Sequence, residues 1–97
     1  MNILIIGAQA TGKSVLAQAL KEYHEARKEE AVVYDDNPAE MTASETAAKS
    51  RLITAIERLK KTKGKPNCHT IMVMCSGSQL MINPNLVDYL YQTSKMR

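Results

Sequence analysis

An unbroken apolar run opens the chain. Residues 2–6 (NILII) are rich in branched aliphatics with no polar alternation, which predicts a strand buried on both faces, as in a parallel sheet. Gly7 ends it. From Lys13 the spacing turns helical: Leu16, Leu20 and Tyr23 recur at intervals of four and three, with Val15 and Ala19 beside them. Lys21, Glu22, Glu25 and Lys28 take the opposite face. Residues 31–34 (AVVY) predict a second short strand, closed by the turn formers Asp35-Asp36-Asn37-Pro38. Thr42 with Glu45 three residues on forms a capping box, and a helix is expected from there to about Lys61. Ala48, Leu52, Ile56 and Leu59 mark its buried stripe. Its last turn is basic, which suits the negative end of the helix dipole, and Gly64 stops it. Residues 69–75 (HTIMVMC) form the third and most apolar strand. After the polar stretch Ser76-Gly77-Ser78-Gln79, residues 80–82 are a candidate fourth strand. Asn83-Pro84 then predicts a final helix with Leu86, Val87, Leu90 and Tyr91 on its apolar side, and a frayed tail after Thr93.

Strands alternating with helices predict an α/β protein: a three-layer sandwich on a small, mainly parallel sheet of three strands plus the candidate fourth. The 97 residues read as one domain, residues 1–97, with no internal repeat.

Composition changes this picture little. The apolar fraction of 44% and charged fraction of 24% are ordinary for a folded domain and argue against disorder. The net charge of +3 suits an anionic ligand without specifying nucleic acid. Four tyrosines with no Phe or Trp make a base-stacking platform a poor fit. Cys68 and Cys75 read as reduced packing residues, since no CxxC pair and no His/Cys cluster has metal-ligand spacing. The six methionines read as adaptable core filler. No apolar stretch approaches the length of a membrane span, so a cytoplasmic protein without membrane contact is expected.

The chemistry concentrates between the first strand and the first helix. Gly7, Ala8, Gln9, Ala10, Thr11, Gly12, Lys13 and Ser14 fit GxxxxGK[ST] at every specified position. Gly7 and Gly12 let the backbone turn tightly beside phosphate oxygens. Successive N–H groups at a helix start form an anion nest. Lys13 brings a compact charge to the β- and γ-phosphates, and the Ser14 hydroxyl is a hard oxygen ligand for Mg²⁺. This segment resembles the Walker A motif of the P-loop NTPase superfamily. The likeness is strong over these eight residues and extends weakly along the chain as the β-α-β order. The resemblance implies ATP and Mg²⁺ as cofactors. It also implies a Walker B element, which Val32-Val33-Tyr34-Asp35-Asp36 resembles: Asp35 would face the metal and Asp36 would orient the attacking water, Lys13 and Asp36 being the catalytic pair. The superfamily's ATPases often place a Glu at that second acidic position, so the shorter Asp36 is a departure. The alternative reading makes both acids solvated turn formers, and which one is the Walker B acid stays open.

In the additional-strand group of these ATPases, a polar residue ends the strand between the P-loop strand and the Walker B strand. Ser76 or Gln79 could serve here, or the segment is simply a polar loop leaving the sheet. The resemblance then predicts that the third strand lies between the first and second. Arg51 and Arg58, seven apart, share a helix face from which one could reach a phosphate, although helical arginines usually face water. Arg58, Lys60, Lys61, Lys63 and Lys65 form a basic cluster, read either as a polyanion contact or as a solvated helix end. His24 and His69 read as isolated residues without partners.

Three functions follow as expectations: a minimal ATPase, a small kinase that transfers the γ-phosphate to a small molecule, or a non-hydrolysing module that uses nucleotide to control binding of nucleic acid or protein. Poorly covered sheet edges make a homo-oligomer or a protein partner plausible, and a partner would then supply an arginine in trans.

Overall fold

Alternation within the strands divides the core in two. The computed structural model describes residues 1–8, 11–35 and 45–93, and for residues 45–50, 78 and 79 the backbone alone. β1 (Asn2–Gly7), α1 (Lys13–Ala26), β2 (Glu30–Asp35), α2 (Glu45–Thr62) and β3 (Cys68–Cys75) follow in the expected order. Thr42 of the capping box, with Asn37 and Pro38, lies outside the described residues. One cluster holds Ile3, Ile5, Ala31, Ile71 and Val73 with Ala17 of α1. The other holds Leu4, Ile6, Met72, Met74 and Ile82 with Ala55 and Leu59 of α2. Odd and even strand positions part cleanly, as a pleat dictates.

The four strands form one sheet in the order β2-β3-β1-β4, every neighbouring pair parallel. β3 lies between β1 and β2, as the resemblance predicts, and it is buried from His69 through Met74. Gly64, at φ 72°, turns the chain from α2 toward β3 in the left-handed conformation that glycine alone adopts without strain.

Three expectations fail. Residues 80–82 are not a strand: Ser78–Met81 is a 3-10 helix, with Leu80 and Met81 exposed and only Ile82 turned into the core. The final helix is absent. Pro84–Leu86 makes a single 3-10 turn, capped by the Asn83 side chain, which accepts from the Asn85 N–H at 3.0 Å. Val87 is already extended, and the next residues become β4 (Tyr89–Gln92), parallel to β1. Asp88 causes the switch. Its carboxylate accepts from the Asn2 N–H at 2.7 Å, and its own N–H donates to the Asn2 carbonyl at 3.0 Å, which sets the chain against β1. Leu86 and Val87 do pack on the core, but Leu90 and Tyr91 are exposed. Finally, Tyr23 is 56% exposed rather than part of the buried stripe of α1. That stripe runs Leu16, Ala17, Leu20 and His24, which keeps the spacing of four that Tyr23 breaks.

Asn2 sits 1% exposed where the sequence pattern shows only an apolar run. Its Nδ2 donates to the carbonyls of Leu59 and Leu86, each at 2.7 Å, and its Oδ1 accepts from Thr62. Thr62 in turn lies 2.9 Å from the Thr70 hydroxyl. This network satisfies a buried amide completely and ties β1, α2, β3 and the segment before β4 together. No helix among the described residues is long and apolar enough to cross a membrane.

Candidate functional site

A parallel sheet gathers the carboxyl ends of its strands at one edge, where open α/β sheets place their ligands. Here β1 and β3 end in register, Gly7 beside Cys75, while Asp35 ends β2 beside Val73. Thr93, just past β4, donates its N–H to the Ile6 carbonyl at 2.9 Å. The GxxxxGKS segment therefore starts at the centre of this edge. Gln9 and Ala10 lie outside the described residues, as does Asp36; Gly7, Ala8, Thr11, Gly12, Lys13, Ser14 and Asp35 are described.

The two glycines serve different ends. Gly12 caps α1 at φ 84°, and no side chain caps the amides of the first turn. Those N–H groups have no helical acceptor and point out of the helix start, the arrangement that favours anions. Gly7 answers to close approach: a Cβ there would lie 2.0 Å from Thr93 Oγ1 and 3.0 Å from Thr11 Oγ1. Thr11 Oγ1 donates to the Ala8 carbonyl at 2.6 Å and lies 2.6 Å from the Thr93 hydroxyl. Thr93, the residue after which a frayed tail is expected, is thus the far wall of the loop. Nothing in the sequence marks it, because its role depends on β4 being a strand.

Lys13 closes the loop upon itself. Its Nζ donates to the Gly7 carbonyl at 2.7 Å and lies 3.9 Å from Cys75 Sγ. The same carbonyl accepts from the Ser76 N–H at 3.2 Å, so the exit of β3 is fastened to the loop. Ser14 Oγ donates to Asp35 Oδ2 at 2.5 Å. Of the sequence-predicted residues, Gly7, Lys13, Ser14 and Asp35 come together. Ser76 takes part through its backbone, and the Gln79 side chain is not described.

Arg58 does not belong here. Its guanidinium binds Cys68 Sγ at 3.5 Å and the His69 carbonyl at 3.3 Å, at the start of β3. At roughly 3.3 Å per residue that is about 20 Å from Cys75 and the Lys13 ammonium. An arginine finger from Arg58 within one chain is thereby ruled out, and Arg51 stands exposed on α2. The basic cluster is partly neutralised: Lys60 lies 3.7 Å from Glu57, Lys63 2.6 Å from Asp88 and Arg58 3.6 Å from Glu30.

His24 and His69 are not isolated. Their rings stack with centroids 3.7 Å apart, and both face Glu29 Oε1. The sequence reading missed this. One signal was present, the Leu16-Leu20-His24 spacing; the approach of His69, 45 residues on, was not. Cys68 and Cys75 are free thiols at opposite ends of β3, as expected.

No protein-family model matches the chain, and no curated protein or solved structure matches it.

Proposed function

We propose that the chain binds ATP with Mg²⁺ at the strand ends around Gly7–Ser14 and hydrolyses it. The contact between Ser14 and Asp35 carries this reading. Two hard oxygens, 21 residues apart in sequence and on different elements, are held 2.5 Å from each other beside a helix start whose N-cap, Gly12, offers no side chain to cap it. That donor set suits a small, oxygen-seeking cation, which keeps most of its waters and takes the rest of its ligands from phosphate.

The residues of the loop then divide the work. The backbone from Gly7 through Gln9, Ala10 and Thr11 to Gly12 wraps the phosphates, and the first-turn amides of α1 meet their charge. Lys13 exchanges the Gly7 carbonyl for a phosphate oxygen, a charge-assisted bond in place of a neutral acceptor. Ser14 and Asp35 hold Mg²⁺, whose charge offsets that developing on the transferred phosphoryl group. Asp36, next along the chain, orients water. Catalysis by such a site is mainly positioning and electrostatic stabilisation.

The placement of β3 between β1 and β2 supports membership of the additional-strand group of P-loop ATPases. The two core clusters, one with α1 and one with α2, support the three-layer arrangement. A cytoplasmic setting agrees with two unpaired thiols. At the outer edge, β4 exposes Tyr89, Leu90 and Tyr91, which supports assembly with a second copy or another protein.

Calorimetry and ADP-release kinetics with Mg-ATP, on the native chain and on Lys13→Ala, test the proposal. Binding and turnover by the native chain and neither by the variant is the expected result. A native chain that binds no nucleotide would overturn the reading, leaving the segment a structural turn.

A further inference from the structure

At the end of the sheet opposite the phosphate loop, three elements converge on one carboxylate. α1 ends in a Schellman turn. Glu29 N–H donates to the His24 carbonyl at 3.0 Å, Lys28 N–H donates to the Glu25 carbonyl at 2.9 Å, and Lys28 takes the left-handed conformation at φ 61°. This turn folds Glu29 back over the last turn of the helix, so its Oε1 lies 2.8 Å from His24 Nδ1. β2 then starts alongside β3, with Ala31 opposite His69. His69, an odd position like Ile71 and Val73, points to the face that α1 covers, and its Nε2 lies 3.0 Å from the same Oε1.

We propose that His24 Nδ1, Glu29 and His69 Nε2 form a binding site for one divalent transition-metal ion of the Zn²⁺ class, with water completing the coordination. Two imidazoles and a carboxylate are a zinc donor set, whereas Mg²⁺ and Ca²⁺ seek oxygen alone. The site is thus chemically distinct from the Ser14–Asp35 pair. The three donor atoms lie within 4.8 Å of one another. Donors around a tetrahedral ion at 2.0–2.2 Å stand about 3.4 Å apart. Seating the ion therefore requires the carboxylate to withdraw by a fraction of an ångström from the two nitrogens it now bridges. Both nitrogens already border Glu29 Oε1, but the rings stack 23° from coplanar, so each ring must also tilt to bring its in-plane lone pair onto the ion.

The surroundings fit a ligand role. The His69 side chain is 5% exposed, so packing fixes the ring with its Nε2 at Glu29 Oε1. The His24 and Glu29 side chains, 15% and 16% exposed, leave a way in for the ion and a water. Arg27, itself largely exposed, reaches only the other carboxylate oxygen, at 3.7 Å, and so leaves Oε1 to the ring nitrogens. An ion here would clamp the end of α1, the approach to β2 and the start of β3 in one knot.

The test uses the full chain, stripped with EDTA and titrated with Zn²⁺ in excess Mg²⁺ to occupy oxygen sites. One equivalent should bind. At a hundredfold excess over Kd the melting temperature should rise by roughly 10 °C. His24→Ala and Glu29→Gln, both at partly exposed positions, should weaken binding at least tenfold. Histidine ¹⁵N shifts of the native chain read the site without any substitution: Nδ1 of His24 and Nε2 of His69 should move on Zn²⁺ addition. Ring nitrogens that stay unmoved, or Zn²⁺ affinity unchanged in both folded variants, would overturn the proposal and leave a hydrogen-bonded His-Glu-His cluster alone.

Discussion

Ser14 Oγ and Asp35 Oδ2 meet at 2.5 Å, joining the first turn of α1 to the last residue of β2. β1, which leads into the loop before Ser14, and β2, which ends at Asp35, are not adjacent in the sheet, because β3 runs between them. The meeting of Ser14 with Asp35 is a product of the crossover rather than of local sequence. If they hold one cation together, their substitutions must couple. Ser14→Ala and Asp35→Ala should each weaken Mg²⁺-dependent nucleotide binding about tenfold or more, by analogy with the loss of supporting groups at metal sites. The double variant should lose less than the product, with a coupling of about 0.5–3 kcal/mol. Calorimetric titration with and without Mg²⁺ reads this, and strict additivity would separate the two residues functionally.

Asn2 tests the polar side of the core. Asn2→Leu conserves volume but strands the Leu86 carbonyl, whereas the Thr62 hydroxyl keeps its contacts with the Arg58 carbonyl and the Thr70 hydroxyl. An unsatisfied buried group of this kind costs about 1–3 kcal/mol, so a loss of about that size in urea unfolding is expected. A loss under about 1 kcal/mol would show the network to be replaceable by simple packing.

Lys28 carries strain at φ 61° in the turn that ends α1. Glycine adopts that conformation freely, so Lys28→Gly should stabilise the chain by about 0.5–1 kcal/mol, measured as a rise in denaturation midpoint. Lys28→Val should do the reverse, since a β-branched residue tolerates the left-handed region poorly.

Asp88 makes the fold acid-sensitive. Burial pushes its carboxyl up, but hydrogen bonds from Lys63 and from the Asn2 and Gly64 N–H groups outweigh this and hold its pKa at about 2. A free aspartate titrates near 3.9, so below that value the unfolded chain takes up the proton first. The contribution of Asp88 is therefore complete above about pH 4 and is lost as pH falls through about 2. Asp88→Asn should lower the melting temperature at pH 7, with the gap to the native chain closing toward pH 2. A gap that does not vary with pH would assign the effect to shape rather than charge.

How far the sequence discloses this molecule depends on the range of the interaction involved. NILII and HTIMVMC announce buried strands because a two-sided apolar run has few other homes. GxxxxGKS announces its own turn, and Gly12 has the left-handed φ that such a turn needs. The end of the chain misleads because Asn83-Pro84 starts a 3-10 turn as well as it starts a helix. The strand is set by contacts far along the chain, Asp88 with Asn2, 86 residues away, and the ladder of β4 with β1. The His24–Glu29–His69 cluster is hidden for the same reason: its members meet only once β2 lies beside β3.

Gly7 separates packing from ligand chemistry in the loop. Phosphate approach alone would make Gly7→Ala a binding defect in a normally stable protein. The structure predicts otherwise, since the new methyl would lie 2.0 Å from Thr93 Oγ1 and 3.0 Å from the Thr93 carbonyl oxygen. Thr93 must move, and with it the bond from its N–H to the Ile6 carbonyl that ends the pairing of β4 with β1. β4 is an edge strand of four exposed residues, so little else holds it. Gly7→Ala should cost about 1–3 kcal/mol, as overpacking does, and should raise amide exchange through Tyr89–Gln92 before any other strand. Adding Thr93→Ala removes the clashing hydroxyl and should restore part of the loss, because the carbonyl contact remains. Uniform exchange across the sheet, or no rescue by Thr93→Ala, would show that Gly7 is required for the loop's conformation and not for its contact with β4.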